Sequence, residues 1–212
     1  MRKHAWVVLL ILSVICLSCS QVKEYVDIAK DETISKEYLT ALETWTRDKT
    51  VYSQFETRAH IVATYKNREF NEAYLAEYSR IYQLTDSEKE KKQKVHIELT
   101  SDFEEFLFYA YIPDKDSNDF SKADSIWKIF LIDETGSKVY PVEVRKIEDI
   151  TPLVYELFPY IQRHYGMFYS LKFSPFPAST RPERLHLVFT SVLGRIDLEW
   201  NSAGVNKERP SS

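Results

Sequence analysis

The sequence predicts an α+β fold that is mainly β: an antiparallel β-sandwich with one or two flanking helices. About eight short segments alternate apolar and polar residues, and turns rather than long helices join them. With 4 glycines and 8 prolines against 14 tyrosines and 12 phenylalanines in 212 residues, the composition is typical of a globular β core. The formal charge of −4 and the lack of a large basic block indicate that nucleic acid is not a partner.

The first twenty residues read as an export signal. A basic head at residues 1–4 precedes an uncharged apolar run at 5–17, which is shorter than the ~20 residues that span a bilayer. The run ends at Ser18-Cys19-Ser20, and the other cysteine, Cys16, lies in the same segment. The remainder of the chain therefore has neither a disulfide nor a thiolate metal site.

In these residues the chain resembles bacterial lipoproteins, in which a small residue precedes a cysteine that becomes lipid-modified and N-terminal. The position three residues before Cys19, usually aliphatic in that family, is Cys16 here. The resemblance implies acyl chains on Cys19, and several chains give a stable membrane anchor. It also implies the bacterial cell envelope, at the outer membrane facing the periplasm, because Ser20 is not aspartate. A plain secretory signal cleaved near Ser18 and an uncleaved N-terminal anchor are the alternatives.

We predict a signal peptide at 1–18, a polar tether at 19–33, one domain at 34–201 and a flexible tail at 202–212. Three helices are expected in the domain, at 35–47, at 68–91 after the cap Asn67, and from Thr151-Pro152 through Phe158. The first two helices each carry one apolar face. These faces are Tyr38, Leu39, Leu42 and Trp45 on the first helix, and Phe70, Tyr74, Tyr78, Ile81 and Tyr82 on the second.

Strands are expected where the apolar period is two. We predict a hairpin over Ile126–Ile147 whose first arm is apolar on both faces and therefore central in its sheet, with Pro141 at an edge or a bulge. Stacked in two layers, such strands make an immunoglobulin-like (Ig-like) sandwich. In this layout, too, the chain resembles small bacterial lipoproteins. The strands expected besides the hairpin lie at 54–64, 95–99, 106–111, 167–173, 185–190 and 195–200.

The sequence contains no motif that carries catalysis. It has no Gly-x-Ser-x-Gly elbow and no His-Glu-x-x-His, and no two of its five histidines stand four residues apart. Glu104 and Glu105 are adjacent and so face opposite sides of a strand. Asp114–Asp119 begins like a calcium loop but lacks its glycine and its final glutamate, so we expect an Asx-rich turn, with an irregular calcium site as the alternative. We predict no catalytic residue, metal ligand or cofactor.

The candidate partner-binding residues are aromatic and cationic: Tyr160, Phe176 between two prolines, and Arg181. The alternative is that Phe158 and Tyr160 plug the open end of the sandwich. Together these observations predict a membrane-anchored, non-catalytic envelope lipoprotein that binds an envelope protein or acts in envelope assembly. A hydrolase-like enzyme with a site assembled across strands and a secreted domain that binds a small ligand or a metal ion are the alternatives.

Overall fold

The computed structural model describes residues 34–201 except 102, 134–135, 163 and 177–181, and the side chains of 95–101 lie outside the description. From Lys36 onward the described residues belong to one compact unit. The helices are α1 (Lys36–Trp45), α2 (Arg68–Ile81), α3 (Asp86–Ser101) and α4 (Pro152–Leu157). The strands are β1 (Thr46–Ser53), β2 (Glu56–Tyr65), β3 (Glu104–Tyr111), β4 (Lys128–Ile132), β5 (Lys138–Val139), β6 (Glu143–Ile147), β7 (Met167–Phe173), β8 (Arg184–Ser191) and β9 (Gly194–Asn201).

The strands form two antiparallel sheets, of order β1-β2-β3-β7-β6 and β5-β4-β8-β9. Strands β2-β3-β7-β6 have the A-B-E-D order of an immunoglobulin-type sandwich, and β5-β4-β8-β9 have its C′-C-F-G order. Strand β1 is an addition outside the first of these. The predicted α+β, mainly β fold with two antiparallel sheets is confirmed.

The inner faces of the two sheets pack against each other through aromatic rings. Phe106 of β3 lies 5.3 Å from Trp200 of β9, and Phe108 lies 5.1 Å from Phe189 of β8, between ring centroids. Burying a large apolar side chain stabilises a fold by ~1.5–3 kcal/mol, so this layer supplies most of the driving force for folding. The buried inner-face residues include Ala59, Ile61, Ala63, Tyr65, Leu131, Tyr169, Leu171, Phe173, Leu185, Leu187, Ile196 and Leu198.

A second apolar layer lies between the helices and the outer face of the five-stranded sheet. Phe158, just after α4, contacts Phe70 and Tyr74 of α2 at 6.2 and 6.3 Å and Phe168 of β7 at 5.8 Å. The Tyr38 hydroxyl of α1 donates to the Leu157 carbonyl at 2.9 Å. The architecture therefore has three layers: helices, five-stranded sheet and four-stranded sheet.

The two long sides of the sandwich differ. On one side β1 lies beside β9, where Trp200 Nε1 donates to the Trp45 carbonyl at 2.9 Å and Arg47 Nε donates to the Glu199 carbonyl at 3.0 Å. These bonds occupy backbone carbonyls that an edge strand would otherwise expose. On the other side lie the edges β5 and β6, joined by residues 140–142.

The predicted hairpin over Ile126–Ile147 is wrong in its second arm. Strand β4 is central, between β5 and β8, as expected, and Leu131 pairs with Val139. The ladder ends there, because Pro141 has no N–H to donate. Immediately afterwards the Val142 N–H donates to the Lys172 carbonyl of the other sheet at 2.8 Å, so the second arm crosses between sheets.

The helix predicted at 68–91 and the strand predicted at 95–99 are also wrong. Helix α2 ends at Ile81, where Gln83 adopts φ +49° and the Leu84 N–H donates to the Ser79 carbonyl at 3.0 Å, a Schellman motif. A new helix, α3, then runs to Ser101 through the segment expected to be extended. The polar strand β1 was not predicted, and the second arm of the hairpin forms two strands, β5 and β6. Although the segment at 95–99 is not a strand, the described residues therefore contain nine strands where about eight were expected.

Candidate functional site

The predicted site residues are dispersed. Cys19 and Arg181 lie outside the described residues. The Tyr160 hydroxyl is 2.8 Å from the Thr64 hydroxyl, its ring is 5.9 Å from Phe158, and burial raises the pKa of Tyr160. Tyr160 is thus engaged with Thr64 of β2 and with Phe158, in the apolar layer between the helices and the five-stranded sheet. Phe176 follows β7 and is partly exposed.

The Asx-rich segment forms a turn. Asp114 caps a 3₁₀ helix at Lys115–Ser117, and Asp119 accepts hydrogen bonds from the Ser121 N–H and hydroxyl at 3.0 and 2.7 Å. Its carboxylates are therefore used in local backbone geometry. Among the residues that the structure describes, no group of three or more His, Cys, Asp and Glu is placed to hold a metal ion.

One histidine–carboxylate pair lies on the outer face of the four-stranded sheet. His186 Nδ1 is 2.9 Å from one oxygen of Asp197, and the other oxygen accepts from Arg195 at 3.0 Å. A histidine that acts as the base for a nucleophilic serine, threonine or cysteine needs that hydroxyl or thiol within reach of its ring. The residues directly across from the pair are Glu199 and Val188, which provide neither group.

Among the described residues, the most exposed apolar side chains lie at the ends of two neighbouring hairpins, β1–β2 and β8–β9. We call this surface the apolar tip: Val51 and Tyr52 of β1, Phe55 of the β1–β2 turn, and Val192 and Leu193 of the β8–β9 turn. Each turn has two residues, between Ser53 and Glu56 and between Ser191 and Gly194. The two hairpins are neighbours, since a Cβ on Gly194 would lie 2.8 Å from Val51 Cγ1.

The exposure of the apolar tip is far beyond that of an ordinary surface residue. Phe55 is 104% exposed, Val192 92% and Tyr52 66%. Single exposed apolar residues are normal, but several together mark an interaction surface. Two-residue hairpin turns favour Asn, Asp and Gly, yet these turns are Gln54-Phe55, with Gln54 at φ +56°, and Val192-Leu193. Apolar residues thus replace preferred turn residues, and such local conflicts are concentrated at functional positions.

The surroundings of the apolar tip are polar. Glu56 follows the first turn, Arg195 follows the second, and both are exposed. An apolar centre with a charged rim is the usual anatomy of a protein–protein interface. Sequence reasoning missed this surface because Phe55 continues the period-two series of β2 and therefore lay inside the strand predicted at 54–64. The sequence did contain one signal for the turn: the Ser53–Glu56 segment is long enough to connect two antiparallel strands.

Comparison with protein-family models, curated proteins and solved structures finds no significant match for the chain. Its class therefore follows from its own coordinates: an immunoglobulin-type sandwich covered on one face by helices, with an apolar tip. In the described part of the chain, no helix has the length and apolar character needed to cross a membrane.

Proposed function

We propose that the protein is a lipid-anchored, non-catalytic component of the bacterial cell envelope that binds another envelope protein through the apolar tip. The observation that carries this proposal is the exposure of Tyr52, Phe55 and Val192 on two neighbouring hairpins. The proposed anchor is the acylated Cys19, and the proposed location is the outer membrane, with the sandwich facing the periplasm.

The tip has the size of an interface centre rather than of a whole interface. Full burial of a Phe or Val side chain contributes ~1.5–3 kcal/mol, whereas association costs about 4–15 kcal/mol in lost freedom. The three exposed side chains therefore act as hot-spot anchors. The polar groups around them complete a contact of the usual ~800 Å² per partner.

The length of the predicted tether limits how far the anchored sandwich can lie from the membrane. Residues 19–33 number 15, which at ~3.3–3.6 Å per residue span at most about 50 Å when extended. A partner that lies on the membrane or projects from it within this distance is accessible to an anchored sandwich.

The partner contact is tested by photo-crosslinking in cells. A crosslinker at position 52, 55 or 192 should give one discrete adduct, identified by mass spectrometry, and a crosslinker at Tyr165, which is as exposed as Tyr52 (both 66%), should not. The double substitution Phe55→Ser and Val192→Ser should abolish the adduct formed from position 52. It should change the free energy of unfolding by no more than ~0.5 kcal/mol, because exposed side chains contribute little to stability. Equal crosslinking from the tip and from position 165 would contradict the proposal.

The anchor is tested separately by Cys19→Ala. This substitution should release the protein from membranes and remove its metabolic palmitate label. A matched Cys16→Ala variant should stay labelled and membrane-bound. Labelling that persists in the Cys19 variant would refute the lipid anchor and leave the tip proposal standing.

A further inference from the structure

Two tyrosine rings lie against each other at the C-terminal end of α2, outside the apolar tip. The ring centroids of Tyr78 and Tyr82 are 4.5 Å apart, and their planes are 38° apart. Side chains four residues apart lie on the same face of a helix. Although α2 ends at Ile81, the Tyr82 N–H donates to the Tyr78 carbonyl at 3.1 Å, so Tyr82 continues the helical turn. The backbone therefore holds the two rings together.

The arrangement of this pair is close to that of two covalently joined rings. Two phenol rings joined by one carbon–carbon bond have centroids only slightly closer than the 4.5 Å seen here, and their planes are twisted relative to each other. The other tyrosine pairs on these helices are wider, with centroids 6.4 Å apart for both Tyr38–Tyr74 and Tyr74–Tyr78. Groups held near contact in the folded state react with each other far faster than free groups do.

The surroundings of the pair make it more reactive than the tyrosine one turn earlier. Tyr82 is 52% exposed, so an oxidant and water both reach its phenol. Lys92 Nζ lies 4.6 Å from the centroid of the Tyr78 ring and covers one of its faces. Burial raises the pKa of Tyr74, so the Tyr74 phenol releases its proton less readily when an electron is removed.

The chain has no thiol beyond Cys19, since both cysteines lie in the first twenty residues. A disulfide is therefore not available to the folded body, whereas adjacent phenols can form a covalent bond by oxidation. We propose that Tyr78 and Tyr82 are a site of oxidative modification, at which a peroxidase and hydrogen peroxide join the two rings as dityrosine. The product would fix the last turn of α2 immediately before Gln83, where φ is +49°.

The reaction removes two hydrogen atoms from the protein. Each phenol loses one electron and one proton, and the two phenoxyl radicals combine through a new Cε–Cε bond. The two Cε–H protons then move to the phenolic oxygens, which restores both aromatic rings. One hydrogen peroxide accepts the two electrons and two protons, its O–O bond breaks, and two water molecules form.

The test is to treat the full chain, at micromolar concentration, with a haem peroxidase and one equivalent of hydrogen peroxide. Trypsin cleaves after Arg80 and so separates the two tyrosines into peptides 69–80 and 81–89. We expect these peptides to be joined in the monomer band, with the sum of their masses less two hydrogens. An about 10-fold dilution of the protein should leave the yield per chain unchanged, because the coupling is intramolecular. The absence of the joined peptide, or its presence only in a dimer band, overturns the proposal.

Phenylalanine variants identify the reacting rings and keep the packing of each ring. Tyr78→Phe and Tyr82→Phe should each abolish the joined peptide. Tyr74→Phe is the matched control and should leave the yield unchanged; it is decisive because peptide 69–80 contains both Tyr74 and Tyr78. Unfolding the wild-type chain in urea should lower the yield about 10-fold or more, because the fixed geometry is lost. An equal yield in urea, or loss of the joined peptide with Tyr74→Phe, would contradict the assignment.

Discussion

Gly194→Ala should be the most informative single substitution, because it tests whether the two hairpins of the apolar tip are in contact, through Gly194 at the start of β9 and Val51 of β1. Gly194 has φ +140°, a conformation that costs a residue with a Cβ about 1–3 kcal/mol. The new Cβ would also lie 2.8 Å from Val51 Cγ1, and such overpacking costs a further ~1–3 kcal/mol. We therefore expect a loss of roughly 3 kcal/mol in the free energy of unfolding.

Gly136→Ala separates backbone strain from the steric contact. Gly136 also has positive φ, at +82°, but nothing lies within 4 Å of its hypothetical Cβ, so only the ~1–2 kcal/mol of strain applies. Adding Val51→Ala to Gly194→Ala should restore about 1 kcal/mol or more of the lost free energy of unfolding. Adding it to Gly136→Ala should restore none. The measurement is urea unfolding followed by tryptophan fluorescence. Equal costs for the two glycines, or no recovery with Val51→Ala, would refute the contact between the hairpins.

Three further predictions concern the body of the fold. Asn67→Ala should lower the free energy of unfolding, measured in urea, by ~1 kcal/mol, because it removes the side-chain oxygen that accepts the helix-capping hydrogen bond from the Phe70 N–H at 2.9 Å. Asn67→Asp keeps an acceptor and should lower it much less. Trp200→Phe should cost at least ~1–3 kcal/mol, because it leaves the buried Trp45 carbonyl without its 2.9 Å donor; a loss below 0.5 kcal/mol would argue against that bond. Burial raises the pKa of Tyr109 from 10.0 to about 12, above its value in the unfolded chain. The contribution of Tyr109 to the free energy of unfolding should therefore be complete below pH 10 and be lost as the pH rises through 12. Unfolding and the absorbance at 295 nm, which reports tyrosine ionisation, should change together. Tyrosines that all titrate near pH 10 while the protein stays folded would contradict this.

The sequence predicted the strands whose alternation is imposed by one buried face. In β9, Ile196, Leu198 and Trp200 are buried while the residues between them contact solvent, so the period of two directly records the sandwich interior. The same reasoning was less successful for β1, whose residues are all half-buried or exposed. Its ladder with β2 requires no buried face, and its second neighbour is β9, to which Arg47 donates at the Glu199 carbonyl, 152 residues away. A local pattern does not contain that information.

Helix α3 shows how a local pattern was misinterpreted. Val95, Ile97 and Leu99 alternate, but three apolar residues are a short series, and the determining signal lies earlier. Thr85 and Glu88 form a capping box, with the Thr85 N–H donating to Glu88 at 2.9 Å and the Glu88 N–H to the Thr85 hydroxyl at 3.4 Å. The box starts a helix in a run of strong helix formers, which then continues through the alternating residues.

The candidate sites were harder to predict than the fold. The apolar tip depends on two hairpins that are distant in sequence. Tyr78 and Tyr82 were both predicted on the apolar face of the second helix, but the sequence does not show that Tyr82 is 52% exposed. Pro141 was recognised as an edge or bulge residue, and it does lie between two edge strands.

The hydrogen bond from Trp200 to Trp45 joins the start of the folded body to its last strand, across 155 residues. A chain that emerges N-terminus first must therefore hold α1 and β1 without their final partners until β9 is available. Contacts of this separation form late and slowly. The apolar side chains around Trp45 thus stay without their cover until the last strand is in place, and the arrival of β9 sets the moment at which the sandwich closes.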